Sequence, residues 1–216
     1  MSDNNPILIS YYTGDQYYER CSNNLKKSCD NLGIPIVIEN IQSLGTYWKN
    51  TLQKPSFILK KMKEFKSDVI WIDVDTKINQ YPDCFKKWDS DIILASHTGN
   101  LHGIKASPIG IKYNEASISF LKEWEKICLD RINNSDVDLD HDILKYNLLG
   151  NLIGKITIDI MKDSLSHVDF TNGKIIDNGI SRVPNKSSYM IKVLEKNKKR
   201  ESNFYGLSLD DFKYAK

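Results

Sequence analysis

The sequence predicts an α/β fold built on a largely parallel sheet. Three observations lead there. Short apolar runs alternate with amphipathic stretches from the first residues onward, in the order "PILISYY", "QYYERCSNNLKKSCDNLG", "IPIVIEN", "KPSFILKKMKEF" and "DVIWIDVDTKI". The amphipathic stretches repeat their apolar residues at three and four, the period of a helix with one buried face. Strand, helix, strand, helix, strand at this spacing calls for right-handed crossovers between parallel strands.

Each element has its own signals. "PILISYY" (6–12) reads as a buried strand ended by the turn "TGD". Tyr18, Cys21, Leu25, Cys29 and Leu32 mark one face of the first helix, which Gly33 stops. "IPIVIEN" is the second strand. In "KPSFILKKMKEF", Pro55 suits the first turn of a helix, with Phe57, Ile58, Met62 and Phe65 turned inward. "DVIWIDVDTKI" (68–78) is the third strand.

Beyond it, "DIILASH" and "SPIGIKYN" read as strands, and Asn114 is placed to cap the helix "EASISFLKEWEKICLDRI". A polar loop, "NNSDVDLD", leads to the helix "HDILKYNLLG". "KITIDIM", "LSHVDF" and "GKIID" are short strand candidates. The helix "KSSYMIKVLEKNKK" runs into the basic stretch "KNKKR", read here as a solvated helix end. No internal repeat and no Pro/Ser-rich linker divides the 216 residues, which are enough for one substantial core.

Composition excludes several classes. Thirty Lys and Arg against 28 Asp and Glu leave a net charge of +2, which argues against a nucleic-acid or acidic-membrane partner. No apolar run approaches the ~20 residues that cross a bilayer, and "MSDNNPILIS" lacks the regions of a secretory signal. Cys21, Cys29, Cys84 and Cys128 form no C-x-x-C pair and are expected to be reduced thiols of a cytosolic protein.

The chemistry centres on Asp73 and Asp75. Alternation along a strand sends both to one side and Val74 to the other. Ligands of open α/β sheets gather beyond the carboxyl ends of the strands. Paired carboxylates there repel unless something positive lies between them. They suit Mg²⁺ or Mn²⁺, which bind through one or two carboxylates together with substrate phosphates. A solvated strand end would carry the same residues, but the apolar "VIWI" in front holds this pair against the sheet.

"SDVIWIDVDTKI" resembles the D-x-D segment of GT-A glycosyltransferases, the nucleotide-diphospho-sugar transferases, and the likeness runs from about residue 6 to 195. "ILISYYTGDQYY" resembles the family's first strand and nucleotide loop, and "YWKNTLQKPSFILKKMKEF" the helix before the D-x-D strand. "ASPIGIKYNEASISFLKEW" resembles the following strand and helix, and "DLDHDILKYNLL" the acidic helix start often written D-Q-x-x-L. The pieces keep the family's order. They are similar to small glycosyltransferases of large DNA viruses and of bacterial surface-polysaccharide loci.

The resemblance implies a single GT-A domain over 1–216, a Rossmann-like three-layer α/β/α sandwich with a mainly parallel sheet. Its nucleotide-binding half would cover about 1–95 and its acceptor half about 96–200, followed by a tail. Asp75 would bind Mn²⁺ or Mg²⁺, and Asp73 would hold the ribose or a metal-bound water. Ser10, Tyr11 and Thr13 would line the nucleotide pocket through backbone groups, with Tyr11 packed on the base. Lys54 would contact a phosphate or brace Asp73.

Asp140 or Asp142 would act on the sugar or acceptor: a general base in an inverting reaction, an orienting group in a retaining one. His141 stands where the family has Gln, which leaves the choice between the two open. Asp177 and Asn178 occupy the place of a late metal-binding His, with Arg182 and Lys186 near enough in sequence to reach the diphosphate. His167 reads as structural, and His97 and His102 flank a polar loop. The loops at 98–106 and 133–139 are expected to order over donor.

The resemblance further implies a UDP-sugar donor, a glycan or glycoprotein acceptor and a cytoplasmic location, the host's cytoplasm if the source is viral. Two rivals remain: a catalytically silent nucleotide- or sugar-binding relative, and a phosphatase of the haloacid dehalogenase type. The phosphatase motif D-x-D-x-T/V meets Lys77 at its fifth position.

Overall fold

Residues 5–161, 176–178, 192–193, 195–200 and 208–212 are described by a computed structural model. The elements in chain order are β1 (Ile7–Thr13), α1 (Gln16–Asn31), β2 (Ile36–Ile41), α2 (Tyr47–Thr51), α3 (Lys54–Phe65), β3 (Val69–Trp71), β4 (Thr76–Ile78), β5 (Ile92–Ser96), β6 (Ile104–Ile111), α4 (Glu115–Asn133), α5 (Asp140–Ile143), β7 (Ile158–Ile160) and β8 (Ile176–Asn178). A further helix, α6, covers the described residues 192–193 and 195–200.

Six strands form the central sheet in the order β2-β1-β3-β6-β5-β7, and β4 pairs with β8 in a separate ribbon. β1 runs parallel to β2 and β3, and β5 parallel to β7. β6 runs against both β3 and β5. The sheet is therefore mainly parallel, with one reversed strand inside it. The reversal matters for the site, because it brings the start of β6 to the same edge as the end of β3.

Strand alternation divides the core into two layers. Ile9, Tyr11, Val69 and Trp71 face α3 and α4, packing with Phe57, Ile58, Met62, Phe120, Leu121 and Trp124. Leu8, Ile70 and Ile72 face the other way, onto Leu25 and Cys29 of α1 and onto Ile78, Phe85 and Trp88. All four cysteines are free thiols. Among the described residues no helix is long and apolar enough to cross a membrane.

The ends of the helices follow the sequence signals. Asp15 caps α1, accepting the Tyr17 N–H at 2.6 Å, and Gly33 (φ 66°) turns the chain away. Asn114 caps α4 by accepting the Ser117 N–H at 2.9 Å. Pro55 sits in the first turn of α3, which closes on Lys66 in the left-handed region.

Three stretches differ from expectation. "DVIWIDVDTKI" is two strands in different sheets: β3 ends at Trp71, and a turn closed by Thr76 N–H to Asp73 O (3.1 Å) leads into β4. The sidedness survives without the strand, since Val74 is buried while Asp73 and Asp75 are half-buried. "HDILKYNLLG" is a four-residue α-helix that widens into a π-turn over Leu144–Leu148 and tightens over Leu149–Leu152. Buried Leu144, Leu148 and Leu149 hold that irregular backbone against the core. Residues 104–106 belong to β6, so the loop there is only 97–103.

Candidate functional site

The carboxyl ends of β1 and β3, the start of β6 and the first turns of α3 and α5 meet at one edge of the sheet. Lys54, the first residue of α3, is buried there. Its ammonium lies 3.1 Å from Asp73 Oδ1, in direct contact with Asp140 Oδ2, and donates to Ala106 O at 2.9 Å. It also stands 5.2 Å from the centre of the Trp71 ring. Burial alone would depress the lysine's pKa, but the two carboxylates outweigh it and hold the pKa above its usual value.

Asp73 is fixed from several sides. The Trp71 indole N–H donates to Oδ1 at 2.9 Å, so two donors share that oxygen with Lys54 as the charged one. Its backbone N–H donates to Ser107 Oγ at 2.8 Å. The antiparallel register of β3 and β6, with Trp71 opposite Ile109, is what places Ser107 there. Asp75 follows in the turn and is half-buried.

Beyond the carboxyl ends of β1 and β2 the edge is organised by Asn50. Its amide donates to Thr13 Oγ1 (3.2 Å) and Ser43 Oγ (3.1 Å), and its Oδ1 accepts the Leu44 N–H (2.7 Å). Its backbone carbonyl accepts the Tyr11 hydroxyl at 2.6 Å. Loop 97–103, between β5 and β6, is stitched internally: Ser96 Oγ donates to Asn100 O (2.6 Å), and His102 N–H donates to Asn100 Oδ1 (2.9 Å). Lys145 donates to His102 O at 2.7 Å, tying this loop to the π-turn after α5.

The sequence matches no protein-family model and no curated protein. Solved structures do match. A glycosyltransferase involved in the glycosylation of the major capsid of PBCV-1 superposes with a TM-score of 0.61 at 11% identity, over 92% of this chain and 100% of that one. The glycosyltransferase GlyE of Streptococcus pneumoniae TIGR4 matches with TM-scores of 0.52 and, in its apo form, 0.50. Identities there are 13% and 11%, and the match covers 83% of this chain but 55% of GlyE. The fold is that of glycosyltransferases.

Within the glycosyltransferase fold, the expected site residues fall into three groups. Lys54, Asp73 and Asp140 come together directly, and Lys54 braces Asp73, one of the two roles expected of it. Thr13 lies at the end of β1 beside Asn50. Asp142 is buried and bonded to His141 Nε2 at 3.1 Å and to the Asn197 amide of α6. Burial works against the Asp142 carboxylate, but these bonds prevail and lower its pKa; the same pairing raises that of His141 despite its own desolvation.

Tyr11 requires correction. Tyr11 is 8% exposed, with its ring against Phe57 (5.2 Å) and Trp71 (5.0 Å) and its hydroxyl bonded to Asn50 O. The ring is a core residue with no face open to a base. Desolvation and the Asp140 and Asp73 charges hold its phenol protonated. Ser10 is fully buried within β1, so its hydroxyl is held in the core; the contact expected of it is through backbone groups. Alternation alone did not tell a wall residue from a core residue.

The third group is placed by backbone or not at all. β8 sets Asn178 opposite Thr76 and Asp177 opposite Lys77, so the stretch proposed to complete the metal site does run beside the D-V-D turn. Arg182, Lys186 and His167 lie outside the described residues. Among the described residues no three His, Cys, Asp or Glu side chains form a metal-binding group. Asp73 and Asp75 suit a cation that takes its remaining ligands from phosphates and water. Asp75 is the better direct ligand, because Lys54 already balances Asp73.

One cluster was misread in sequence. Asp138 is fully buried, and the Arg200 guanidinium grips it with Nη2 at 2.8 Å and Nη1 at 3.2 Å. Arg131 Nε and Lys196 Nζ each lie 3.4 Å from it. Asp136 takes Lys196 at 2.6 Å and Arg131 at 2.7 Å. The "KNKKR" stretch is thus partly an ion-pair clamp, and loop 133–139 is bolted down in this structure. The alternating acids of "DVDLDHD" were the legible half of that signal.

Proposed function

We propose that the protein is a metal-dependent glycosyltransferase of the GT-A, D-x-D type, moving a sugar from a UDP-sugar onto a hydroxyl of a glycan or glycoprotein. The observation that carries this reading is the bridge Asp73–Lys54–Asp140 at the carboxyl edge of the sheet, with half-buried Asp75 two residues beyond Asp73 in the same turn. A divalent cation on Asp75 would neutralise the departing diphosphate. Asp73, held through Oδ1 by Trp71 and Lys54, accepts a ribose hydroxyl or a metal-bound water with its carboxylate.

Asp140 is assigned to orienting the transferred sugar. Lys54 fixes this carboxylate at the edge of the sheet, where it is placed to accept a sugar hydroxyl's hydrogen bond. Asp142, two residues beyond Asp140 and bonded to His141, is the remaining carboxylate for contact with the acceptor. Asp177, Asn178, Arg182 and Lys186 are proposed to complete the metal and diphosphate contacts.

Isothermal titration with UDP, with and without Mn²⁺, tests the reading. Mn²⁺-dependent binding and slow hydrolysis of a UDP-sugar, both lost in Asp75→Ala with an unchanged melting curve, are expected. Metal-independent binding without turnover would instead identify a silent binding relative, and full activity of Asp75→Ala in chelator would overturn the metal role.

A further inference from the structure

Asp140 carries the proposed sugar-orienting role, yet it opens a helix of only four residues that continues into a π-turn. Such a short element has little rigidity of its own. Its position comes from its neighbours on either side. Two residues before Asp140, Asp138 is buried in the Arg200 fork; two residues after it, Asp142 accepts the Asn197 amide. Both partners belong to α6 and stand three residues apart, hence on one face of that helix. α6 therefore holds the chain at 138 and 142, and between those points Asp140 reaches to Lys54.

From Lys54 the contacts continue to Asp73 Oδ1, which also receives the Trp71 indole N–H. The path from Arg200 to Trp71 is thus a sequence of direct polar contacts with one short backbone step, from residue 138 to 140. Val193 anchors α6 itself, buried in the same core layer as α4.

We propose that Arg200 and Asn197 are positioning residues of the donor site: α6 grips residues 138 and 142 and thereby sets where Asp140, Lys54 and Asp73 stand. The proposal rests on the glycosyltransferase reading for its kinetic consequence, but not for its structural one. The guanidinium is what matters at 200. A planar fork engages both oxygens of Asp138, whereas an ammonium offers the same charge at a single point.

Arg200→Lys keeps the charge balance around buried Asp138 and is the variant least at risk of unfolding. The Trp71 indole N–H resonance in a ¹H–¹⁵N spectrum reads the far end of the path without any substrate. It is assigned by Trp71→Phe, and Asp140→Asn supplies the reference displacement. In Arg200→Lys and Asn197→Ala the Trp71 resonance is expected to move in the direction of Asp140→Asn, while exposed Lys199→Ala leaves it unchanged. Turnover of a UDP-sugar should fall about ten- to a hundredfold with KM for the donor altered less than about twofold, the mark of misplacement rather than lost binding.

An unmoved Trp71 resonance in a folded Arg200→Lys protein overturns the coupling, whatever the activity. A moved resonance together with wild-type turnover overturns the positioning role. Absence of UDP and Mn²⁺ binding in the wild type would sink the functional reading alone, since the resonance test needs neither ligand.

Discussion

The buried ammonium of Lys54 joins Asp73, at the end of β3, to Asp140, at the start of α5. One cation thus holds the two halves of the proposed donor site at a common point. Two carboxylates drawn this close need a positive charge between them, and the protein supplies part of it from its own chain.

Lys54→Met should leave Asp140 buried without its counter-charge. Removing one partner of a buried pair typically costs about 3–5 kcal/mol, and a lowered denaturation midpoint will show it. Protonation of the stranded carboxylate relieves the penalty, so the deficit relative to wild type should be smaller at about pH 5 than at about pH 7.5. The double variant Lys54→Met/Asp140→Asn should recover part of the loss, while an equal deficit at both pH values would speak against a stranded charge.

Gly103 supports the loop between β5 and β6 by leaving room for its neighbour. A Cβ there would stand 2.6 Å from the Thr98 backbone nitrogen and 2.9 Å from Ser96 Oγ. Backbone cannot swing aside as a side chain can, so Gly103→Ala should destabilise by about 1–3 kcal/mol. Amide exchange at His97, whose N–H donates to Gly103 O at 3.0 Å, should quicken more than exchange in α1.

Asn50→Ala removes the side-chain hydrogen bonds that tie Thr13 to residues 43–44. Each net bond contributes about 0.5–1.5 kcal/mol and part of this amide is wet, so a loss of about 1–2 kcal/mol is expected. The larger effect should be on UDP affinity in titration, because these residues rim the carboxyl ends of β1 and β2. Asn50→Asp, which keeps the acceptor for Leu44 N–H, should retain more affinity than Asn50→Ala.

His141 introduces a pH dependence of defined sign. Its pKa is raised in the folded state: desolvation opposes the charge, but the bond to Asp142 and the Asp142 and Asp140 charges overcome it. The stabilisation is present in full below the unfolded value and is lost as pH rises through the folded one. The melting temperature of wild type should therefore drop between about pH 6 and about pH 8 by more than that of His141→Gln. Parallel pH curves for the two proteins would remove this role.

Much of this was legible in the chain. The helices 16–31, 54–65 and 115–133 announce themselves through apolar periodicity and through Asp15, Pro55 and Asn114 at their starts. The position of Asp73 beyond an apolar run was legible too, because a strand that buries three residues in a row must end at the sheet edge. What misled was reading faces one element at a time. Tyr11 follows the strand's alternation correctly and still belongs to the core, since α2 and α3 close over it.

By itself, then, the sequence determined the succession of strands and helices and the acidic turn 73–75, because those follow from local periodicity and from charges that cannot continue into a core. Only the tertiary structure decided the partners: Lys54 with Asp140, and Arg200 with Asp138 across 62 residues of chain. A lysine at a helix start and an arginine in a basic run look solvated in one dimension. Which acids they meet depends on which surfaces pack together, and the strength of each meeting on how much water that packing removes.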